Sequence, residues 1–279
     1  MATNENKFIT DFTPSNLMSG NYFDLTDVQY NGGSSLVNGS LSKWLLLNRT
    51  YMIKRCCIDY DGTPLSDYLN EQLVYEFCNL LHIDCAYYRA VTIKYFDTNL
   101  NRVIECPACL TKIFPGELIY FSVLRKLFRW DVGSDLLTDF TERFNINPQL
   151  NDLIFLDYIV EENDRHAHNF GIVDGRMSPI YDSGCCLFYD IPDELLSDDL
   201  INNISRHRSF GISQDKLLAF CLRNIYPEFS FEFNEESLKN HVDHALNKVT
   251  GYSTRRRDFI RKFLKVRISN VGQIYAQTR

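Results

Sequence analysis

The stretch EENDRHAHNFGIVDGRMSPIYDSG, residues 161–184, gathers acidic residues, two histidines and two asparagines into a short polar run, then alternates toward a second aspartate. It begins inside PQLNDLIFLDYIVEEN (148–163), which is apolar on nearly every side and so predicts a buried helix ending where the polar run starts. The segment from Asn163 to Asn169 therefore reads as a loop on a rigid support. After it, FGIV and MSPIY read as two short strands around Asp174-Gly175, a dipeptide suited to a tight hairpin. That hairpin predicts that Asp182 returns toward Asp164 and Asn169.

The three side chains have complementary chemistry. A loop aspartate can accept the proton of an attacking hydroxyl, whereas an asparagine oxygen and a second carboxylate are hard donors suited to Mg²⁺ held on ATP phosphates. The Asp-x-x-x-x-Asn spacing matches the catalytic loop of protein kinases. Asp and Asn are common loop residues, however, and the same spacing occurs in an Asx-rich turn that caps the next element.

Further evidence comes from upstream. SSLVNGSLSKWLLLNRTYMIKR (34–55) presents a turn at Asn38, Gly39 and Ser40, whose backbone amides suit phosphate, then two strands with Lys54 inside the second. A lysine in an apolar strand needs an anionic partner, because burying an unpaired ammonium is costly. The next segment, SDYLNEQLVYEFCNLLHI (66–83), predicts a helix capped at Ser66 or Asp67, with Leu69, Leu73, Phe77 and Leu80 as its apolar stripe. Glu71 and Glu76 on that helix are the candidate partners of Lys54. AYYRAVTIKYF and RVIECPACLT, joined by DTNLN, predict a strand pair. Beyond residue 115 the patterns are mainly helical. The expectation is an α+β, bilobal chain: a small β-rich lobe over residues 1–112 and a larger helical lobe over 113–279, hinged near residues 109–116.

Composition limits the alternatives. With 279 residues, 45% apolar and 14% aromatic, the chain can bury one large core or two modest ones. MATNENKFIT has neither a basic nor an apolar run, and no window of 18 apolar residues occurs, so a cytoplasmic protein without membrane insertion is expected. The nine cysteines, an odd number set mostly in apolar runs, suit reduced buried thiols. Cys106-x-x-Cys109 stands alone and reads as strand rather than zinc site. The net charge of -7 argues against nucleic acid as a direct partner. Charge is uneven along the chain: six acidic residues fall between Asp182 and Asp199, while Arg255, Arg256, Arg257, Arg261, Lys262, Lys265 and Arg267 crowd the carboxyl end. The basic run reads as the solvated face of a terminal helix.

DRHAHNFG followed by PIYDSG resembles the HipA-like serine/threonine kinases, and is also similar to the phosphatidylinositol 3- and 4-kinases. SSLVNGSLSKWLL resembles the HipA-type phosphate loop, YMIK its lysine strand, and NEQLVYEFCNLLHI the helix bearing its glutamate. The ordered set spans residues 34–188. The resemblance implies a protein-kinase-like fold and ATP- and Mg²⁺-dependent phosphoryl transfer to a hydroxyl of a protein substrate. It also implies autophosphorylation in the loop 34–42, where the family's regulatory serine aligns with Leu36, beside Ser35. Carried over residue by residue, Asn38, Gly39 and Ser40 would bind ATP, Lys54 would contact its phosphates, and Glu71 would hold Lys54. Asp164 would be the base, His166 the motif histidine, and Asn169 and Asp182 the metal ligands. The alternatives are a phosphoinositide or small-molecule kinase on the same scaffold, or a non-catalytic binding protein with a kinase fold.

Overall fold

The computed structural model describes residues 9–28, 41–130, 134–202, 208–209 and 212–278. Asn38, Gly39 and Ser40, read above as the phosphate loop, lie outside the described residues, as do Ser35 and Leu36.

The amino-terminal part opens with α1 (Pro14–Ser19), whose first turn is capped by the Thr13 hydroxyl, and β1 (Tyr22–Asp24). The predicted strands follow as β2 (Lys43–Leu46) and β3 (Tyr51–Arg55), then α2 (Asp67–Leu81), β4 (Tyr87–Asp97) and β5 (Arg102–Lys112). They build a five-stranded sheet in the order β1-β4-β5-β3-β2, antiparallel except where β1 joins β4. The β4–β5 turn is fixed by the Asp97 carboxylate, which accepts from the N–H groups of Asn99 and Leu100. One face of the sheet, with Phe23, Trp44, Ile53, Ile93 and Leu110, is buried together with Leu17 of α1. The other carries Ala86, Tyr88 and Cys109. Cys106 and Cys109, three residues apart on β5, therefore point to opposite faces, as the two-residue strand period requires.

The rest of the chain is mainly helical. β6 (Leu118–Tyr120) leads into α3 (Phe121–Phe128), α4 (Ser134–Phe144) and α5 (Asn147–Val160). The predicted hairpin appears as β7 (Gly171–Val173) and β8 (Arg176–Met177), with β6 as a third strand. Asp174 and Gly175 both have positive φ, 50° and 78°, as a type I′ turn demands. The second strand is shorter than MSPIY suggested, because Ile180 leaves it to form a bridge with Cys85. After a 3₁₀ turn (Asp193–Leu195) come α6 (Asp198–Asn202), β9 (Arg208–Ser209), β10 (Ile212–Ser213), α7 (Gln214–Asn224), α8 (Glu235–Lys248) and α9 (Thr254–Thr278). Every α5 residue from Leu150 to Val160 is buried, which explains its lack of a polar face. Among the described residues, no helix is long and apolar enough to cross a membrane.

Two local expectations change. Ser66 stands at the cap position of α2, but its hydroxyl donates to the Tyr189 carbonyl at 3.3 Å, and the Asp67 carboxylate accepts from the Cys57 N–H at 2.9 Å. Both side chains tie the helix to distant segments instead of capping it. The basic run is likewise only partly a solvated face: Arg255 and Lys262 are exposed, but two of its arginines are not. Arg256 and Arg267 are only 6% and 3% exposed. Arg256 pairs with Asp193 and Lys262 with Asp198 of the acidic stretch, while Arg261 and Lys265 pair with Asp243 on α8.

Candidate active site

Helix α5 ends at Glu161, whose left-handed backbone (φ 54°) turns the chain sharply. Glu161 pairs with Arg267, whose guanidinium lies over the Tyr158 ring at 4.5 Å, so α9 braces this corner. The loop that follows is held by its own hydrogen bonds. The Asp164 N–H donates to Glu162 Oε1 at 2.8 Å, the His166 N–H to the Asp164 carbonyl at 2.8 Å, and the Asn169 N–H to the His166 carbonyl at 2.9 Å. The Asn169 side-chain amide donates to the same Asp164 carbonyl at 2.9 Å, which commits its nitrogen and leaves its oxygen as a donor atom for a cation. The Asp164 side chain is exposed.

A residue that motif reading passed over organises this region. Arg165 is buried, with Nε 3.1 Å and Nη2 3.0 Å from Asp157 Oδ1 on α5. Its Nη1 donates to the carbonyls of Asn169 and Tyr181, each at 2.9 Å, and its Nη2 to the Ser183 hydroxyl at 3.0 Å. One guanidinium thus joins the helix, the loop and the Asp182 segment. Burial opposes the charge, but Asp157 and Glu162 outweigh it and hold the Arg165 pKa above its ordinary value. The available signal was Asp157 itself, one of two acids, with Asp152, in a helix read as buried, where a carboxylate must find a polar or cationic partner.

Lys54 brings the two halves together. Its ammonium bonds Glu71 on α2 and lies 2.8 Å from Asp182 Oδ1. Glu71 is therefore the partner, while Glu76 instead pairs with Lys248 at 2.8 Å. The second Glu71 oxygen accepts from the Ser183 N–H at 3.2 Å. Burial works against the charge on Lys54, yet the Asp182 and Glu71 carboxylates hold its pKa well above the usual lysine value. Lys54 in turn draws the Asp182 pKa down to about 2, although that side chain is 45% exposed to the cleft and water moderates the attraction. Burial pushes the Glu71 carboxyl up, against the pull of Lys54.

These groups line one cleft of about 800 Å³, which holds Lys54, Asp164, His166, Asn169 and Asp182. The cleft also holds Lys43, another residue missed from sequence, directly opposite Lys54 in the β2–β3 register. Burial lowers the Lys43 pKa against the attraction of Asp182. His166 is exposed, and its Nδ1 accepts from the His168 N–H at 3.3 Å, an orienting contact within the loop. Among the described residues, no group of three or more His, Cys, Asp or Glu side chains could hold a metal unaided. Asn169 and Asp182 instead offer two oxygen donors, the set that suits Mg²⁺ when phosphate and water supply its remaining ligands.

No protein-family model matches the sequence, and no curated protein is similar to it. Solved structures are similar in fold. The proinflammatory kinase CtkA of Helicobacter pylori superposes with a TM-score of 0.59 at 17% identity, covering 92% of this chain and 99% of that one. Weaker matches are HipA of Shewanella oneidensis, solved with HipB and operator DNA (0.45, 11% identity, 96% and 74% covered), and the Golgi casein kinase (0.47, 12%, 87% and 71%). The chain has the bilobal kinase-like fold expected from its sequence.

Proposed function

We propose that this chain is an ATP- and Mg²⁺-dependent phosphotransferase, a protein serine/threonine kinase of HipA-like type. Residues 1–112 are, in this reading, the nucleotide-side lobe, and residues 113–279 carry the catalytic loop. The observation that carries it is the contact of one buried lysine with both a helix glutamate and the aspartate after the hairpin, beside an exposed loop aspartate in the same cleft.

Lys54 binds and orients phosphate oxygens, and Glu71 keeps it extended and charged. Asp164 takes the proton of the attacking hydroxyl at its exposed carboxylate, and the Glu162 and His166 contacts fix that residue's backbone. The Asn169 oxygen and Asp182 would hold Mg²⁺, which neutralises phosphate charge when bound. His166 serves to shape the loop.

The acceptor is read from surface charge. Asp190, Glu194 and Asp199 stay exposed just beyond Tyr189, which itself lines the cleft, and this favours a peptide with Lys or Arg near its target hydroxyl. Incubation with γ-labelled ATP, Mg²⁺ and protein or phosphoinositide acceptors, followed by phosphoamino-acid analysis, tests the reading. Label on Ser or Thr is expected. Label confined to the phosphoinositide fraction would overturn the acceptor assignment.

A further inference from the structure

Asp182 has a left-handed backbone, φ 55°, a conformation that residues with a Cβ rarely adopt unless their surroundings impose it. Its neighbours do impose it. The Asp182 N–H donates to the Tyr88 hydroxyl at 3.0 Å, the next N–H, of Ser183, donates to Glu71, and the carboxylate is drawn to Lys54 by one oxygen. Tyr88 is the second residue of β4 and 7% exposed, and its ring packs in the small core with Ala86 and Cys109, against Phe114 and Tyr181. β4 is paired with β5 along its whole length, so the phenol oxygen is carried by a continuously bonded strand. Burial, together with the nearby Glu71 charge, drives the phenol pKa well above its usual value. A phenylalanine would fill the same space, which makes the oxygen the part to explain.

We infer that Tyr88 is a positioning residue: its hydroxyl holds the Asp182 backbone in the left-handed conformation that keeps one carboxylate oxygen on Lys54 and turns the other toward the cleft. The inference rests on the proposed role of Asp182 as a cation ligand.

Tyr88→Phe removes one oxygen and keeps the ring. Thermal stabilisation by ATP is measured while Mg²⁺ is titrated, and again with ATP and chelator. The folded variant should need about fivefold more Mg²⁺ for half-maximal stabilisation, the scale of one lost hydrogen bond, with its metal-free nucleotide response unchanged. An Mg²⁺ midpoint equal to that of the wild type would overturn the role of Tyr88 while leaving the phosphotransferase reading intact. A wild type with no Mg²⁺-dependent response would overturn that reading, and the inference with it. If Tyr88→Phe does not fold, residue-resolved amide exchange on the wild type tests the same bond. Protection of the Asp182 amide is expected, and exchange at the rate of an open amide would contradict it.

Discussion

Lys54 Nζ and Asp182 Oδ1 lie 2.8 Å apart although 128 positions separate them in the chain, and the same ammonium also bonds Glu71. The sheet, helix α2 and the segment after the hairpin meet at this one cation. Glu71 is fully buried there, so its charge depends on Lys54.

Replacing the cation should therefore unsettle the fold as well as the chemistry. Lys54→Met leaves the Glu71 carboxylate buried without its cation, and a loss of about 3 kcal/mol in unfolding free energy is expected from urea denaturation. Lys54→Met combined with Glu71→Leu should recover most of that stability yet still fail to transfer phosphate. A single variant as stable as the wild type would show that the pair contributes little.

The Glu162 carboxyl gives a pH signature. Burial pushes its pKa from the ordinary value near 4.5 up to about 8. Between these values the unfolded chain releases the proton and the folded chain keeps it, so this contribution is full below about 4.5 and is lost as pH rises toward 8. Glu162→Gln, which mimics the neutral acid, should gain stability relative to wild type across that window and level off above it. Parallel stability curves for the two proteins would contradict this.

Arg256 fastens the segment after Asp182 to α9. It donates to the carbonyls of Phe188 (3.0 Å) and Ile191 and pairs with Asp193, while Arg255 donates to the carbonyls of Glu194 and Leu196, each at 2.9 Å. Arg256→Ala should lower stability by about 2 kcal/mol and speed amide exchange in residues 188–194. Unchanged exchange in that segment would show that the helix packs there without holding it.

Much of this architecture was legible from local pattern. Two strand-like runs joined by DTNLN pointed to β4 and β5, all-round apolarity to α5, and Asp174-Gly175 to the hairpin that returns Asp182 to the loop. The need of a strand lysine for a carboxylate pointed to α2, the resemblance favoured Glu71 over Glu76, and Lys54 does bond Glu71 while Glu76 pairs with Lys248. What stayed hidden depends on long-range contact. Arg165, Tyr88 and Lys43 are ordinary letters until the fold sets them beside Asp157, Asp182 and Lys54. Ser66 and Asp67 have the right chemistry for a cap, but tertiary partners claimed them. The pairing of the carboxyl-terminal basic run is hidden because its acids lie mostly on other elements, 18 residues upstream for Arg261 with Asp243 and 64 for Lys262 with Asp198.

The most direct measurement is single-turnover phosphate transfer from γ-labelled ATP, with Mg²⁺, by wild type and Asp164→Asn. That substitution keeps the shape of the side chain and removes its proton acceptor, so the rate should fall by roughly 10²-fold or more while nucleotide affinity stays within about twofold. Transfer by Asp164→Asn at the wild-type rate, or no transfer by the wild type to any protein, lipid or small-molecule hydroxyl, would contradict the account.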